Sequence, residues 1–300
     1  MPEKLKGIVP PVITPLTRDG RIDCRGLKKL LEHILAGGVH GLFILGTTGE
    51  GPVLGYELQK KMIGETCAIV GGRVPILAGI SAAAMNDSVK LAEIARENGA
   101  FGAVAAPPYY FSLGEPELID YYETLVRKIP LPLFLYNMPA MTKVCLKPST
   151  VIRLAGVPGI IGYKDSSGSM PDLHEVLLAL RGRDDFSIFV GPEELLGEAV
   201  LFGADGGVSG GANLNPCLFV SMYEAAARGD IPEMRRLQEQ IYRQRKLYFI
   251  GHYPSSIVKG IKCSLSLRNI CSEYLAEPFH FFEEKERNEV RKVLETLPIL

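Results

Sequence analysis

The segment Gly38-Val39-His40-Gly41 recurs along the chain as Gly99-Ala100-Phe101-Gly102 and as Gly203-Ala204-Asp205-Gly206. Each copy has the form Gly-(Ala/Val)-x-Gly, ends a helix-like stretch and precedes an apolar, strand-like run. The first glycine suits a left-handed helix cap, and the second lets the incoming strand approach its neighbour closely. This weak repeat therefore marks the same helix-to-strand turn three times.

Eight strand-like runs alternate with helix-like stretches around these turns. The runs cover residues 7–13, 42–45, 75–80, 101–106, 131–136, 160–165, 186–190 and 206–211. Alternating units of this kind predict parallel strands that are buried on both faces. We therefore predict an α/β fold, a TIM (β/α)8 barrel over residues 1–229 with a C-terminal helical extension over residues 230–300. A doubly wound open sheet is the alternative, but no Gly-x-Gly-x-x-Gly motif follows the first strand.

Composition and charge exclude several classes of function. The 300 residues are 47% apolar and 22% charged, and 33 basic against 34 acidic residues give a net charge of −1. A chain without a basic field is not expected to bind nucleic acid or an anionic membrane surface. The sequence contains no apolar run of about 18 residues and no signal-peptide pattern, so it predicts a cytoplasmic protein.

Cysteines and histidines show no spacing typical of a metal site or of a disulfide framework. The chain has six cysteines without a Cys-x-x-Cys pair, and the closest two, Cys263 and Cys271, are eight residues apart. The five histidines have no His-x-x-x-His spacing. We therefore predict reduced, buried thiols and a mechanism without metal ligands.

Polar and aromatic residues stand where several of the predicted strands end. They are Thr47 and Thr48 after strand two, Tyr110 after strand four, Tyr136 at the end of strand five, Lys164 at the end of strand six, and Glu193 and Glu194 after strand seven. In a TIM barrel the active site is built at the C-terminal ends of the strands. These residues, far apart in sequence, are therefore expected on one face of the barrel.

Lys164 offers the most specific chemistry among them. A lysine at a strand end is most often a solvated surface residue, but in a water-poor barrel mouth its charged form is disfavoured and its pKa falls. The neutral amine can attack a ketone to form a Schiff base, which allows an adjacent C–C bond to break or form. A phenol suits the accompanying proton transfer, which makes Tyr136 the candidate acid/base, although a strand-end tyrosine is more often a core residue.

The loop Gly46-Thr47-Thr48-Gly49 offers small side chains, free backbone N–H groups and hydroxyls. Such a loop suits the carboxylate of an α-keto acid. A plain glycine turn is the alternative interpretation of this loop, and a surface aromatic is the alternative interpretation of Tyr110.

Four motifs, in this order, make the chain resemble the family of dihydrodipicolinate synthase and N-acetylneuraminate lyase. They are Gly46-Thr47-Thr48-Gly49-Glu50, Pro108-Tyr109-Tyr110, Tyr136-Asn137-Met138-Pro139 and Gly162-Tyr163-Lys164-Asp165. The resemblance runs from about Gly7 to the last helix. It implies a carbon–carbon lyase, a Schiff-base class I aldolase that uses pyruvate and an aldehyde and needs no metal or other cofactor.

The resemblance also implies a role for each site residue. Lys164 carries the pyruvate imine, and Tyr136 is the general acid/base. Thr47 relays protons between Tyr136 and Tyr110. In the family this last tyrosine comes from the neighbouring subunit of a homodimer, and two dimers usually form a homotetramer.

The resemblance also implies which residues bind pyruvate and which select the aldehyde. Thr48 and the Gly46 backbone hold the pyruvate carboxylate, and Val208 lines the pyruvate pocket. In synthases that make dihydrodipicolinate, an arginine grips the carboxylate of aspartate semialdehyde where this chain has Met141. A thioether cannot replace a bidentate guanidinium.

The segment Tyr136-Asn137-Met138-Pro139-Ala140 resembles instead the sialic acid lyases and the 2-keto-3-deoxy sugar-acid aldolases. Glu193 and Glu194 fall where lyases hydrogen-bond sugar hydroxyls, and Ser166 and Ser167 could add hydrogen bonds. Acidic residues are also favoured at any helix N-terminus, which is the alternative for the two glutamates.

We therefore predict a 2-keto-3-deoxy sugar acid or a sialic-acid-like substrate. One alternative is 4-hydroxy-tetrahydrodipicolinate synthase, which condenses pyruvate with aspartate semialdehyde. A non-catalytic keto-acid-binding barrel is the alternative of another class, and the intact set of Lys164, Tyr136 and Thr47 argues against it.

Overall fold

In the computed structural model, which describes residues 4–298, eight parallel strands curl into one barrel. The strands are β1 (Gly7–Ile8), β2 (Leu42–Ile44), β3 (Ile76–Gly79), β4 (Gly102–Ala105), β5 (Leu133–Asn137), β6 (Ile160–Asp165), β7 (Ser187–Val190) and β8 (Gly206–Gly207). Strands β2 to β8 pair in chain order, and β8 pairs with β1. The barrel closes where Phe43 N donates to Pro10 O at 2.9 Å and Val12 N donates to Phe43 O at 2.8 Å. The predicted α/β TIM barrel is confirmed.

Helices follow the strands on the outside of the barrel. They are α1 (Cys24–Ala36), α2 (Tyr56–Val70), α3 (Met85–Glu97), α4 (Glu115–Lys128), α5 (Pro139–Thr142), α6 (Pro148–Leu154), α7 (Met170–Ala179), α8 (Leu196–Leu201), α9 (Pro216–Ala227), α10 (Ile231–Arg245), α11 (Ser256–Leu267) and α12 (Glu284–Glu295). The proposed boundary at residue 229 falls in the short turn between α9 and α10. No helix within residues 4–298 combines the length and the apolar composition that a bilayer span requires.

The first and last strands are shorter than the sequence pattern predicts. The apolar run 7–13 forms only two residues of regular strand, because Pro10 and Pro11 have no N–H to donate to a ladder. Pro11 still forms an isolated parallel bridge with Phe43, which continues the closure of the barrel. The one-turn helix α5, which follows the Tyr-Asn-x-Pro motif, was not predicted.

Large apolar side chains fill the inside of the barrel. They are Val9, Phe43, Leu77, Val104, Phe134, Phe189 and Val208, all buried. Two glycines make this packing possible. A Cβ on Gly162 would lie 2.2 Å from the Phe134 ring, and a Cβ on Gly206 would lie 1.9 Å from Gly7 O. The second glycine of the repeat therefore allows β8 to approach β1 closely, as expected.

The six cysteines are unpaired thiols, but the prediction that all are buried is wrong for Cys145 and Cys217, which are exposed, and for Cys24, which is half-buried. The buried ones are Cys67, Cys263 and Cys271. Burial raises the pKa of Cys67 to about 11 and the pKa of Cys263 and Cys271 to about 12. These three thiols are therefore protonated at neutral pH and pack as small apolar side chains.

Candidate active site

Lys164 and Tyr136 lie side by side at the C-terminal ends of β6 and β5. Their Cα atoms are register partners in the parallel ladder, so the two side chains point to the same face of the sheet. The Lys164 ammonium nitrogen lies 4.1 Å from the centre of the Tyr136 ring and 4.9 Å from that of Phe43. Lys164 is only 6% exposed. The lysine is therefore enclosed in the barrel mouth and is not a solvated surface residue.

Burial lowers the pKa of Lys164, although the neighbouring Tyr136 phenol acts in the opposite direction. The charged form of a buried amine is disfavoured because the surroundings solvate it poorly. The neutral, nucleophilic form of Lys164 is therefore more populated than that of a surface lysine.

The loop after β2 brings a hydroxyl to Tyr136. Thr47 Oγ1 lies 3.1 Å from Tyr136 Oη, within hydrogen-bond distance. The loop is held from below, because Thr14 Oγ1 donates to Gly49 O at 2.7 Å and Gly51 N donates to Gly46 O at 3.1 Å. The Thr47–Tyr136 step of the predicted proton relay is therefore formed within one chain.

A cavity of about 250 Å³ opens at Lys164. Its walls are Pro11, Thr47, Thr48, Tyr136, Met138, Met141, Lys164, Ser166, Gly191, Pro192, Glu193, Glu194, Val208, Gly210, Arg245, Tyr248, Pro254, Ile257 and Val258. Of the twelve residues predicted for the site, only Gly46, Tyr110 and Ser167 are not among them. The barrel thus brings nine of these residues to one place, from five strands and the segments that follow them.

Gly46 and Tyr110 lie outside this cavity. Gly46 borders a neighbouring cavity of about 130 Å³, which shares Thr47 and Tyr136 with the first. Tyr110 is 80% exposed, and its ring packs edge-to-face on Phe111 with ring centres 5.0 Å apart. The Thr47–Tyr110 step of the relay is therefore not formed within one chain.

Asp165 ties together the two strands that carry Tyr136 and Lys164. Its Oδ1 accepts hydrogen bonds from Asn137 Nδ2 at 2.9 Å and from Tyr163 Oη at 3.0 Å. Its Oδ2 accepts from Ser167 Oγ at 2.9 Å. Asn137, Tyr163 and Asp165 belong to the sequence motifs, and the network gives them a structural role behind Lys164 and Tyr136. Ser167 is used in this network and does not reach the cavity.

One wall of the cavity comes from the C-terminal helical layer, which sequence reasoning missed. Arg245, Tyr248, Pro254, Ile257 and Val258 lie on α10, on α11 or between them. The active site of a TIM barrel is expected at the C-terminal ends of the strands, and this expectation gives no reason to choose residues of the C-terminal helices.

Arg245 is the most polar member of this wall. Its Nη2 donates to Glu194 Oε1 at 2.8 Å, and its guanidinium lies 5.5 Å and 5.4 Å from the ring centres of Tyr242 and Phe249. The predicted sugar ligand Glu194 is therefore already engaged by a cation.

Glu193 is a buried carboxyl that faces Gly211 N and the Tyr248 hydroxyl. The residue is 5% exposed, and its Oε2 accepts from Gly211 N at 2.8 Å. Its Oε1 makes no hydrogen bond among the residues that the structure describes. Burial raises the pKa of Glu193 to about 7, against the opposing effects of the Gly211 N–H and the Tyr248 hydroxyl. Within residues 4–298, no group of three His, Cys, Asp or Glu side chains is arranged to hold a metal ion.

Replacement of Glu193 by Gln is expected to change how stability depends on pH. In the unfolded chain this carboxyl loses its proton near its ordinary pKa of 4.5, whereas in the folded chain it keeps the proton up to about pH 7. The folded state binds more protons in that interval, so this residue makes stability fall as the pH rises through it. The free energy of unfolding of Glu193→Gln, relative to the unmodified protein, should increase by up to about 3 kcal/mol between pH 4 and pH 8.

Urea unfolding at the two pH values measures this difference. Glu198→Gln is the control, because Glu198 is exposed on the adjacent helix. Equal pH dependence in the two variants would mean that Glu193 is charged in the folded protein at neutral pH.

Comparison with known proteins gives a consistent result over the whole chain. The model of the dihydrodipicolinate synthetase family matches residues 4–297. A probable 2-dehydro-3-deoxy-D-pentonate aldolase from Escherichia coli strain K12 is 33% identical over 301 residues, which cover 99% of this chain and 99% of that protein.

Two solved structures are also similar. A dihydrodipicolinate synthase from Bacteroides thetaiotaomicron is 51% identical, with a TM-score of 0.96 over 99% of this chain and 100% of the other. A prophage protein of the dihydrodipicolinic acid synthase family from Escherichia coli K12, in complex with pyruvate, is 30% identical, with a TM-score of 0.93 over 98% and 99% of the two chains.

Proposed function

The chain belongs to the dihydrodipicolinate synthetase family and is a carbon–carbon lyase of the class I aldolase type, and on this basis we propose that it cleaves or forms a 2-keto-3-deoxy sugar acid through an imine between Lys164 and pyruvate. The observation that carries the proposal is the buried amine of Lys164 beside the Tyr136 phenol, with Thr47 in hydrogen-bond contact. The complex of the related prophage protein with pyruvate supports the choice of keto acid.

In the proposed reaction, Lys164 Nζ adds to the C2 carbonyl of the keto acid. The carbonyl oxygen takes up the Tyr136 proton and leaves as water, so that a protonated imine and the Tyr136 phenolate remain. The C3–C4 bond then breaks, its electron pair moves into an enamine, and the C4 hydroxyl gives its proton to ionised Tyr136. The aldehyde leaves, the enamine takes a proton at C3, and hydrolysis of the imine releases pyruvate and regenerates the amine.

The proposed recognition of pyruvate uses the loop after β2. Thr48 lines the cavity beside Lys164, and Val208 lines it from the segment after β8. We assign the pyruvate carboxylate to the Thr48 hydroxyl and the loop backbone that begins at Gly46, since charged acceptors bind well to such donors.

The aldehyde end of the cavity favours an uncharged, hydroxylated partner in this proposal. Met141 lines the cavity and presents an apolar side chain. The one guanidinium of this wall, on Arg245, is already neutralised by Glu194. Lys143 is exposed and donates to Ala140 O at 2.9 Å, and it does not line the cavity. Among the described residues of this cavity a second carboxylate on the aldehyde would thus find no unpaired cation, whereas hydroxyls would find Ser166.

The alternative is a 4-hydroxy-tetrahydrodipicolinate synthase, the activity named for the similar protein from Bacteroides thetaiotaomicron. In that case Arg245, rather than Lys143, is the cation that would take the carboxylate of aspartate semialdehyde. The 2-dehydro-3-deoxy-D-pentonate activity named for the similar Escherichia coli protein supports the sugar-acid proposal.

A substrate panel tests the proposal. We expect kcat/KM to be higher for pyruvate with a sugar-derived aldehyde, or for the matching 2-keto-3-deoxy acid, than for pyruvate with aspartate semialdehyde. Met141→Arg adds an unpaired cation and should shift the ratio toward the semialdehyde by about tenfold to a hundredfold. Met141→Leu is the control, because it keeps the position apolar. A higher kcat/KM for aspartate semialdehyde than for every sugar aldehyde in the unmodified protein would support the synthase instead.

We also propose that the protein works as a homodimer or as a homotetramer of two dimers. The exposed Tyr110 and Phe111 rings form an aromatic surface that a second copy could cover. In such a dimer Tyr110 would approach Thr47 of the other copy and extend the proton relay.

A further inference from the structure

A second buried lysine, Lys262 on α11, lies outside the cavity and has no part in the proposed chemistry. It is 0% exposed and forms an ion pair with Glu50, which is 2% exposed. Lys262 Nζ also donates to Tyr274 O at 2.7 Å, and Glu50 Oε2 accepts from Ala276 N at 2.7 Å. Four groups from the loop after β2, from α11 and from the segment after it thus meet at one buried point.

Stability alone gives a weak reason for this pair. The loss of water around two buried charges costs several kcal/mol per ion, and the attraction between them often does no more than offset that cost. A well-packed pair of neutral side chains is frequently as stable or more stable at such a place. The ion pair of Lys262 and Glu50 is therefore better explained by a role in fixing a particular conformation.

Glu50 lies at the end of the loop after β2 that carries Thr47. Glu50 directly follows Thr47-Thr48-Gly49, and its N–H donates to Thr47 O at 3.1 Å. The Glu50 backbone is left-handed, with φ of 59°, which a glutamate seldom adopts unless its surroundings hold it. Helix α11 also supplies Ile257 and Val258 to the cavity.

We propose that Lys262 and Glu50 are positioning residues, which hold Thr47 in contact with Tyr136 and so set the rate of proton transfer. This inference rests on the proposed function, because it assumes that Tyr136 moves the proton. Glu50 lies three residues after Thr47. The proposed proton transfer needs the Thr47 hydroxyl close to Tyr136 Oη, and the two oxygens are 3.1 Å apart. A shift of about 1 Å in a positioned group can reduce a rate by about 10²-fold.

The test replaces both charges at once, with Glu50→Gln and Lys262→Met in one protein. The readout is exchange of the methyl protons of pyruvate with solvent deuterium, followed by NMR, since it needs the imine and proton transfer but no aldehyde. At saturating pyruvate we expect the exchange rate to fall by about 10²-fold, with half-saturation changed by less than about threefold. Borohydride should still trap pyruvate on Lys164, and the melting temperature should change by only a few degrees.

A matched control removes the exposed pair of Glu32 and Arg73 by Glu32→Gln with Arg73→Met. This control should exchange at the unmodified rate. A second variant, Glu50→Asp, keeps the charge but withdraws it by one methylene, and an intermediate loss of rate is expected.

The outcomes separate this inference from the function on which it rests. Exchange at an equal rate in the unmodified protein and in the double variant would overturn the positioning role alone. A double variant that does not fold, together with Glu50→Asp at the full rate, would assign the pair to stability and overturn the role equally. Absence of exchange in the unmodified protein would overturn the proposed function, and the inference with it.

Discussion

Incubation with pyruvate and borohydride is expected to leave a reduced adduct on Lys164. Only the neutral amine attacks a ketone, and burial at the barrel mouth lowers the pKa of this lysine. Lys262 provides an internal comparison, because it is buried as well but is paired with Glu50 and lies outside the cavity. Digestion and mass spectrometry of the reduced protein identify the modified peptide. A modified lysine elsewhere, or none, would contradict the proposed mechanism.

Loss of the Lys164 amine should have the largest effect of any single replacement. Lys164→Met keeps the length and apolar character of the side chain and removes the nucleophile. We expect the turnover to fall by a factor on the order of 10⁴ or more, since no neighbouring amine can replace it. Lys143→Met is the control, because Lys143 is exposed near the mouth of the cavity. It should turn over substrate at close to the unmodified rate.

Tyr136→Phe is expected to reduce turnover by about 10²–10⁴-fold, with the imine still formed. The replacement keeps the ring that packs beside Lys164 and removes the hydroxyl that Thr47 contacts. Borohydride trapping reports the formation of the imine, and single-turnover measurements without borohydride report C–C bond cleavage. Tyr110→Phe should reduce the rate by a smaller factor, if the second subunit completes the relay as proposed.

Tyr122→Phe is the matched control for Tyr136→Phe. Tyr122 is fully buried, and its hydroxyl donates to Ala105 O at 3.2 Å, away from the cavity. Its loss should lower the melting temperature and leave turnover unchanged. A Tyr136→Phe protein with near-normal turnover would show that another group carries the proton.

The placement of Lys164 beside Tyr136 could be predicted from the sequence because it depends on regular structure. Strand pattern, barrel closure and the rule about strand ends together place Tyr136 and Lys164 on one face, and they lie as register partners. The loop glycines and the helix-to-strand repeat follow from backbone conformation, which local sequence describes well.

The cavity wall that comes from the C-terminal helical layer could not be predicted in the same way. Arg245 and Tyr248 reach the cavity through the packing of α10 on the barrel, and helical periodicity does not say which face meets a substrate. The pairing of Glu194 with Arg245 is likewise a tertiary contact between residues 51 positions apart. The length of β1 depended on Pro10 and Pro11, whose missing donors outweigh an apolar pattern.

The cavity is lined both by the barrel and by the C-terminal helices. In the proposed function the keto-acid end lies against the barrel alone, whereas the aldehyde end lies between barrel residues such as Met141 and a wall from α10, α11 and the residues between them. Substitutions after residue 230 can therefore change which aldehyde is accepted, while the residues proposed for the imine chemistry stay the same. Lys262 sets a limit on that freedom, because any exchanged C-terminal segment must still bring a partner to Glu50.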